Sequence, residues 1–250
     1  MQIKKIQIAV LAALALSGGA AVAQAPAAPA AAPEPDYTFA FNVGVVTDYR
    51  YRGISQSRLN PALQGGIDFT HKSGFYLGTW ASTIKWIKDA GGGANGEFDF
   101  YGGYKNTYNG FGYDFGVLTY QYPGHDLAVK PITTELYAAG TFGPATLKYS
   151  HAVTNLFGFS DSKNSYYVDL NATFETGYWG LTFVPHIGYQ KVKSNGDFSY
   201  TDWSLGLGKD FGNGFSASLT YVDTNNDKYR SPEGKDLGKP TAVLGVKYTF

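Results

Sequence analysis

Between residues 37 and 250, one pattern recurs in segments that turns and loops separate. In each segment, apolar residues alternate with small or polar ones at every second position. In the segment 39–45, for example, Phe and Val alternate with Ala, Asn and Gly. Successive side chains of a strand point to opposite faces, so this period predicts β-strands with one apolar face. We predict twelve strands, at approximately 37–52, 60–71, 75–85, 97–105, 111–122, 132–142, 145–154, 165–174, 179–191, 200–210, 215–223 and 241–250.

The connections between these strands alternate in length. Five short turns carry Gly, Asn or Pro, the residues that tight turns favour, and six longer loops interleave with them. Outer-membrane barrels have short periplasmic turns and longer external loops. We therefore predict an all-β fold, an antiparallel up-and-down transmembrane β-barrel of about twelve strands. An even strand count would leave both termini in the periplasm.

Closure of the sheet follows from the membrane. Hydrocarbon offers no partner for free backbone N–H and C=O groups, so an open sheet edge would be very costly there. Aromatic residues cluster at the strand ends, which is typical of interfacial girdles. We place Tyr49 and Tyr51 in the girdle near the loops. A soluble sandwich or lipocalin-like barrel, with its apolar face inward, is the alternative.

The two ends of the chain carry targeting features. Residues 1–23 combine Lys4 and Lys5 with a short apolar run and Ala-Val-Ala, which predicts a signal peptide rather than an N-terminal anchor. The Ala/Pro-rich segment 24–36 is expected to be a periplasmic tail. The terminal aromatics Tyr248 and Phe250 resemble the assembly signal of outer-membrane barrels. An ordinary last strand is the alternative.

Composition agrees with this class. Lys+Arg and Asp+Glu both number 20, which argues against a nucleic-acid partner. Charged residues are 16% of the chain, against about 25% in a soluble domain. Cysteine is absent, and the sequence has no nucleophile elbow, H-E-x-x-H or P-loop. We expect neither an enzyme nor a cofactor.

Several segments resemble one family. YRYRGISQS at 49–57 and NPALQGG at 60–66 look like the opening of the TorF-type porins, and 73–82 and 200–206 are similar to later stretches. The resemblance covers about 37–250. It implies an outer-membrane, channel-like barrel, and it transfers no catalytic residues because the substrates of the family are poorly defined.

Charged residues fall on the polar face of the predicted strands. A Lys or Arg facing lipid would cost about 2–4 kcal/mol at the midplane, so this phase is enforced. Asp68, Glu97, Lys105 and Asp114 belong to this inward set. The pore-lining residues that we predict are Asp48, Arg50, Arg52, Asp99, Glu135, Lys148, Asp169, Asp202 and Lys247.

The predicted inner face holds eight carboxylates and five cations, with His186 counted as neutral. Acidic rings favour cations in pores, so we expect a porin for small hydrophilic solutes or ions with weak cation preference. We expect Lys148 to pair with Glu135 or Asp169. A closed structural or adhesive barrel, a barrel enzyme acting on outer-membrane lipids and a soluble periplasmic binding barrel are the alternatives. Outer-membrane lipid and the barrel-assembly machinery are the expected partners; the oligomeric state stays open, as does the phase of strand 3.

Overall fold

Twelve antiparallel strands form the wall of a closed barrel in the computed structural model, which describes residues 35–250. Strands adjacent in sequence are neighbours in the sheet, and β1 also pairs with β12, Val43 lying opposite Tyr248. The predicted all-β, twelve-stranded barrel is confirmed. The strands are β1 Tyr37–Val46, β2 Ala62–His71, β3 Phe75–Thr83, β4 Gly96–Tyr108, β5 Phe111–Gln121, β6 Thr133–Phe142, β7 Ala145–Ala152, β8 Tyr166–Ala172, β9 Leu181–Lys191, β10 Tyr200–Gly212, β11 Phe215–Thr224 and β12 Thr241–Thr249.

A few elements complete the described part of the chain. Phe174–Glu175 continues β8 beyond Thr173 and pairs with β9. One turn of α-helix, Trp86–Asp89, lies in the second long loop, and a 3-10 turn, Gly196–Phe198, in the fifth. No helix within residues 35–250 is long and apolar enough to cross a membrane. The predicted signal peptide, 1–23, lies outside the described residues, as does the predicted tail, 24–36, apart from its last two residues.

The outer face of the barrel is apolar and exposed. Along β1, Phe39, Phe41, Val43 and Val45 point outward, while the residues between them are partly covered. This surface would be unfavourable in water, at about 25 cal/mol per Å². It is the band that hydrocarbon covers in a membrane barrel.

Strand β3 shows which of its two apolar faces turns inward. Tyr76 and Trp80 are buried inside, and Phe75 and Leu77 are exposed outside. The hydroxyl of Tyr76 donates to Asp114 Oδ1 at 2.6 Å, a partner that the lipid face could not supply. A buried tyrosine needs such a partner, which fixes the phase.

The chain leaves the wall earlier than the sequence predicts. The alternation predicts strand 1 through residue 52, but β1 ends at Val46, and residues 47–61 fold into the lumen. Within this segment Arg50–Tyr51 pairs with Ile54–Ser55. Arg52 and Gly53 form its tip with φ of 46° and 79°, the positive values of a type I′ turn. We call residues 47–61 the inward hairpin.

The inward hairpin also corrects the loop-side girdle. Tyr49, which we predict outside, is 2% exposed and lies inside the barrel, and Tyr51 packs in the same interior cluster. Tyr149, Tyr189 and Tyr221 remain on the outer surface. The prediction is wrong for Tyr49 and Tyr51 because both residues lie beyond the end of β1.

Candidate functional site

The base of the inward hairpin is tied to the last strand. Asp48 accepts hydrogen bonds from Arg50 Nε at 2.5 Å and from the hydroxyl of Ser55 at 2.5 Å. Arg50 also donates to the carbonyl of Leu237, at 3.0 Å, and to Thr241 Oγ1 in β12, at 2.6 Å. These contacts hold the hairpin against one side of the barrel.

The tip of the inward hairpin reaches the opposite side. The guanidinium of Arg52 donates to both carboxylate oxygens of Glu135 in β6, at 2.9 and 2.6 Å, and to Gln190 Oε1 in β9, at 2.6 Å. Its central carbon lies 4.3 Å from the ring centre of Tyr167 in β8. A bidentate arginine–carboxylate pair fixes both distance and orientation. The hairpin therefore crosses the lumen.

Glycine at position 53 permits this close approach. A Cβ there would come within 2.5 Å of Thr224 Cγ2 and 2.7 Å of Asp202 Cβ. The backbone also has φ of 79°, which residues with a Cβ rarely adopt. A larger residue would push the tip away from β10 and β11.

Tyrosines fill the space between the hairpin and the wall. The hydroxyls of Tyr49 and Tyr122 donate to Glu97, at 2.6 and 2.8 Å. Those of Tyr51 and Tyr120 bond to each other, and Tyr120 also donates to Glu135 at 3.1 Å. Each phenol supplies an apolar ring and a polar tip, so the cluster is packed and hydrogen-bonded together.

A small cavity remains beside the tip of the hairpin. Its volume is about 30 Å³, room for one or two water molecules. Asp99 is 6% exposed, and its Oδ1 accepts no hydrogen bond from any residue between 35 and 250. The cavity is lined by Tyr49, Tyr51, Arg52, Asp99, Leu118, Tyr120, Lys148, Ser150, Tyr167 and Asp169.

The ammonium of Lys148 lies over an aromatic ring rather than beside an acid. Its Nζ is 4.0 Å from the ring centre of Tyr137, the geometry of a cation–π contact. Our prediction that Lys148 pairs with Glu135 or Asp169 is wrong. Arg52 occupies Glu135, and His186 contacts Asp169.

His186 links two inward carboxylates. Its Nδ1 lies 3.1 Å from Asp169 Oδ2, and its Nε2 lies 2.8 Å from Asp202 Oδ2. The hydroxyl of Tyr167 donates to Asp202 Oδ1 at 2.9 Å. This group joins β8, β9 and β10 behind the tip of the hairpin. No cluster of three or more acidic or histidine side chains that could hold a metal occurs in the described part of the chain.

The half of the lumen near the short turns has its own acids. Tyr101 donates to Asp68 at 2.6 Å, as Tyr76 does to Asp114. Lys105 Nζ lies 5.2 Å from the ring centre of Tyr76.

The predicted lumen residues fall into three groups. Asp48, Arg50 and Arg52 lie on the inward hairpin, not on a wall strand as the sequence predicts. The side chains of Asp99, Glu135, Lys148, Asp169 and Asp202 surround its tip, from β4, β6, β7, β8 and β10. Lys247 lies in β12 toward the short turns, and Tyr248 contacts Phe250 there, with 4.8 Å between ring centres.

Sequence reasoning missed several residues of this interior. Tyr120, Tyr122 and Gln190 share the inward phase of neighbours that we did predict, such as Asp114 and His186. The period-two pattern could have found them. Charge singled out the predicted residues, and uncharged hydrogen-bonding side chains carry no such marker.

Solved structures of porins have a similar fold. The KdgM porin aligns with 84% of this chain and 99% of its own, at a TM-score of 0.56 and 11% identity. The KdgM porin in complex with disordered oligogalacturonate covers 85% and 98%, at the same TM-score and identity. The NanC porin covers 85% and 99%, at a TM-score of 0.53 and 11% identity. At such identity the likeness concerns the fold alone.

Sequence comparison supplies the family. No curated protein matches this chain. Residues 30–250 match the family described as "Bacterial protein of unknown function (Gcw_chp)". That match spans the whole barrel and the inward hairpin, and the chain therefore belongs to the Gcw_chp family.

Proposed function

We propose that this protein is an outer-membrane channel through which small hydrophilic solutes and ions diffuse passively. The observation that carries the proposal is a closed barrel with an apolar outer face and a charged inner face. The porin folds of similar structures support it, as does the resemblance of 49–57 to the TorF-type porins. With the long loops outside the cell, both termini lie in the periplasm. The partners are outer-membrane lipid and the barrel-assembly machinery.

The inward hairpin is the constriction of the proposed channel. Eight strands give a barrel filled by side chains, and sixteen leave an aqueous channel, so twelve leave room that an inserted segment can fill. The cavity of about 30 Å³ beside Arg52 admits water or a bare ion.

The charges of the lumen favour cations weakly. Two ion pairs, Arg50–Asp48 and Arg52–Glu135, neutralise four groups. Besides His186, which lies between Asp169 and Asp202, the inner face then keeps six other carboxylates and three lysines: Asp68, Glu97, Asp99, Asp114, Asp169, Asp202, Lys105, Lys148 and Lys247. A net negative wall attracts cations, and salt screens it over about 8 Å at physiological ionic strength.

This charge balance also narrows the class of solute. One of the similar structures is the KdgM porin with oligogalacturonate, an anionic sugar chain. The net negative lumen here disfavours such anions. We propose neutral or cationic solutes for this chain.

Planar bilayers test the proposal directly. Purified protein should give discrete conductance steps, and a KCl gradient should give a reversal potential with the sign of K⁺ preference. Clear Cl⁻ preference would contradict the selectivity. Absence of steps at every voltage would contradict the channel.

A closed structural or adhesive barrel is the second candidate. The filled loop-side half favours it, because the hairpin and the tyrosines leave little space there. Such a protein would show no conductance, and it would lose partner binding when the loops are shortened. A lipid enzyme is a third candidate. Ser150 is buried inside the barrel, whereas His151 contacts Tyr149 and Asn164. This candidate predicts turnover of lipid A or phospholipid, which an activity assay would detect.

A further inference from the structure

The outer face of β7, β8 and β9 changes from apolar to polar in ordered rows toward the long loops. Residues directly opposite each other on paired strands share a face, so the strand register defines rows that run around the wall. Leu170 lies opposite Leu147 on one side and Ile187 on the other, and all three side chains are exposed. This first row is entirely apolar.

The second row, two residues closer to the loops, is largely aromatic. Val168 lies between Tyr149 and Tyr189, and both tyrosines are exposed. A step of two residues along a strand is about 6–7 Å. The second row therefore lies just above the apolar one.

The third row is polar and basic. Tyr166 lies opposite His151 on β7 and Lys191 on β9. His151 Nδ1 is 3.0 Å from the hydroxyl of Tyr149, and its Nε2 is 3.1 Å from Asn164 Oδ1. Apolar, aromatic and basic groups thus follow one another in three successive rows.

The rings of the second and third rows form one continuous shelf. The ring centre of Tyr166 is 5.8 Å from that of Tyr149 and 6.3 Å from that of Tyr189. The ring of His151 extends the shelf at 6.0 Å from Tyr149. The shelf spans three strands of the wall.

The charge of Lys191 is not neutralised by the protein. Lys191 follows the inward Gln190 and shares the outward phase of Tyr189. The adjoining loops carry Asp161 and Asp197, but among residues 35–250 Lys191 forms no salt bridge with any acid. An outward ammonium at the rim of the apolar band is suited to an anionic lipid head group.

We propose that the outer face of β7–β9 binds one phosphorylated glycolipid of the outer leaflet, the class to which lipid A belongs. Its acyl chains lie against the apolar row, its sugar lies on the ring shelf, and its phosphate accepts hydrogen bonds from Lys191. Aromatic side chains favour this interfacial level, and a lysine ammonium is a strong donor to phosphate. A phospholipid head group, which has no sugar ring, would leave most of the shelf uncovered. The assignment rests on the proposed orientation, because lipid A occupies only the outer leaflet.

Native mass spectrometry of the detergent-purified protein with added lipid A tests the site. We expect a one-to-one adduct, and weaker binding of dephosphorylated lipid A and of phosphatidylglycerol. Lys191→Gln should weaken the binding of lipid A about fivefold, the effect of one lysine near an anionic head group. The matched control is Lys209→Gln, because Lys209 shares the outward phase of Leu207 but lies on β10 toward the short turns. This control should bind lipid A as the wild type does.

A second variant tests the shelf separately from the charge. Tyr166→Leu keeps an apolar side chain but removes the central ring, so it should weaken the binding of lipid A and leave that of phosphatidylglycerol unchanged. A heat-dependent shift in gel mobility shows that each variant is folded.

The outcomes separate this inference from the proposed channel. Equal binding of lipid A and phosphatidylglycerol by the wild type, or equal effects of the two lysine substitutions, would overturn the glycolipid site while leaving the conductance intact. Selective binding of lipid A by a protein that never conducts would support the site and overturn the proposed function.

Discussion

Two paired arginines differ in surroundings and allow a matched comparison. Arg52 is buried and pairs with the buried Glu135, whereas Arg230 in the last loop is exposed and lies 3.6 Å from the exposed Asp227. Removing one partner of a buried pair strands the other charge, at a cost of about 3–5 kcal/mol. Exposed pairs contribute about 0–1 kcal/mol.

We therefore expect Arg52→Ala to destabilise the barrel by about 3–5 kcal/mol, an upper range for a lumen that water can enter. Because the tip loses its anchor, conductance should also rise. Arg230→Ala is the control, with a change of about 1 kcal/mol or less and unaltered conductance. The temperature at which the folded barrel loses its distinct mobility in a gel reports the change in stability. Single-channel recording measures the change in conductance. Equal effects of the two substitutions would contradict the anchoring role of Arg52.

At the level of elements, the sequence predicts the wall strands well and the hairpin not at all. Apolar and polar residues alternate strictly along the wall strands because one face meets lipid and the other carries the charged groups. This alternation is visible in the sequence. The alternation continues past Val46, where Tyr49 and Tyr51 keep the apolar phase and Asp48 and Arg52 the polar one. Period alone therefore cannot show where β1 ends. The turn at Arg52–Gly53 is also unusual, since Asn or Asp commonly stands before Gly in type I′ turns.

Deleting the crossing part of the hairpin should open the lumen. Replacement of residues 50–55 by a short Gly/Ser link leaves β1 and β2 paired from Tyr37–His71 to Val46–Ala62, so the barrel should still close. We expect conductance to increase severalfold and to admit larger solutes, such as disaccharides in a liposome-swelling assay. Replacement of residues 193–194, which are exposed in the fifth long loop, by Gly-Gly is the control and should change neither. Unchanged conductance after the first deletion would remove the hairpin from the pathway.

At the scale of the whole molecule, the long loops and short turns lie at opposite ends of the barrel. With the loops outside the cell, an epitope tag in the last loop, 224–240, should be labelled on intact cells. A tag in the turn 72–74 should be labelled only after the outer membrane is permeabilised. The reverse labelling would invert the barrel and place the termini outside.

The last strand also has a predicted role in delivery to the membrane. Phe250 is 71% exposed and contacts Tyr248 at the end of β12. Deletion of Phe250 should slow assembly and leave protein in the periplasm, measured by fractionation over time. Leu219→Ala, at an exposed position on the lipid face, is the control, and it should assemble at the normal rate. Normal assembly without Phe250 would exclude the signal.

The contacts of Arg50 with Leu237 and Thr241 have a consequence for the order of folding. The residues in these two contacts are 187 and 191 positions apart in the chain. Such distant contacts form late, because loop closure must be completed before they add stability. The base of the hairpin gains these partners only when β12 has arrived beside β1. Closing the wall and fastening the base of the hairpin are thus the same final step.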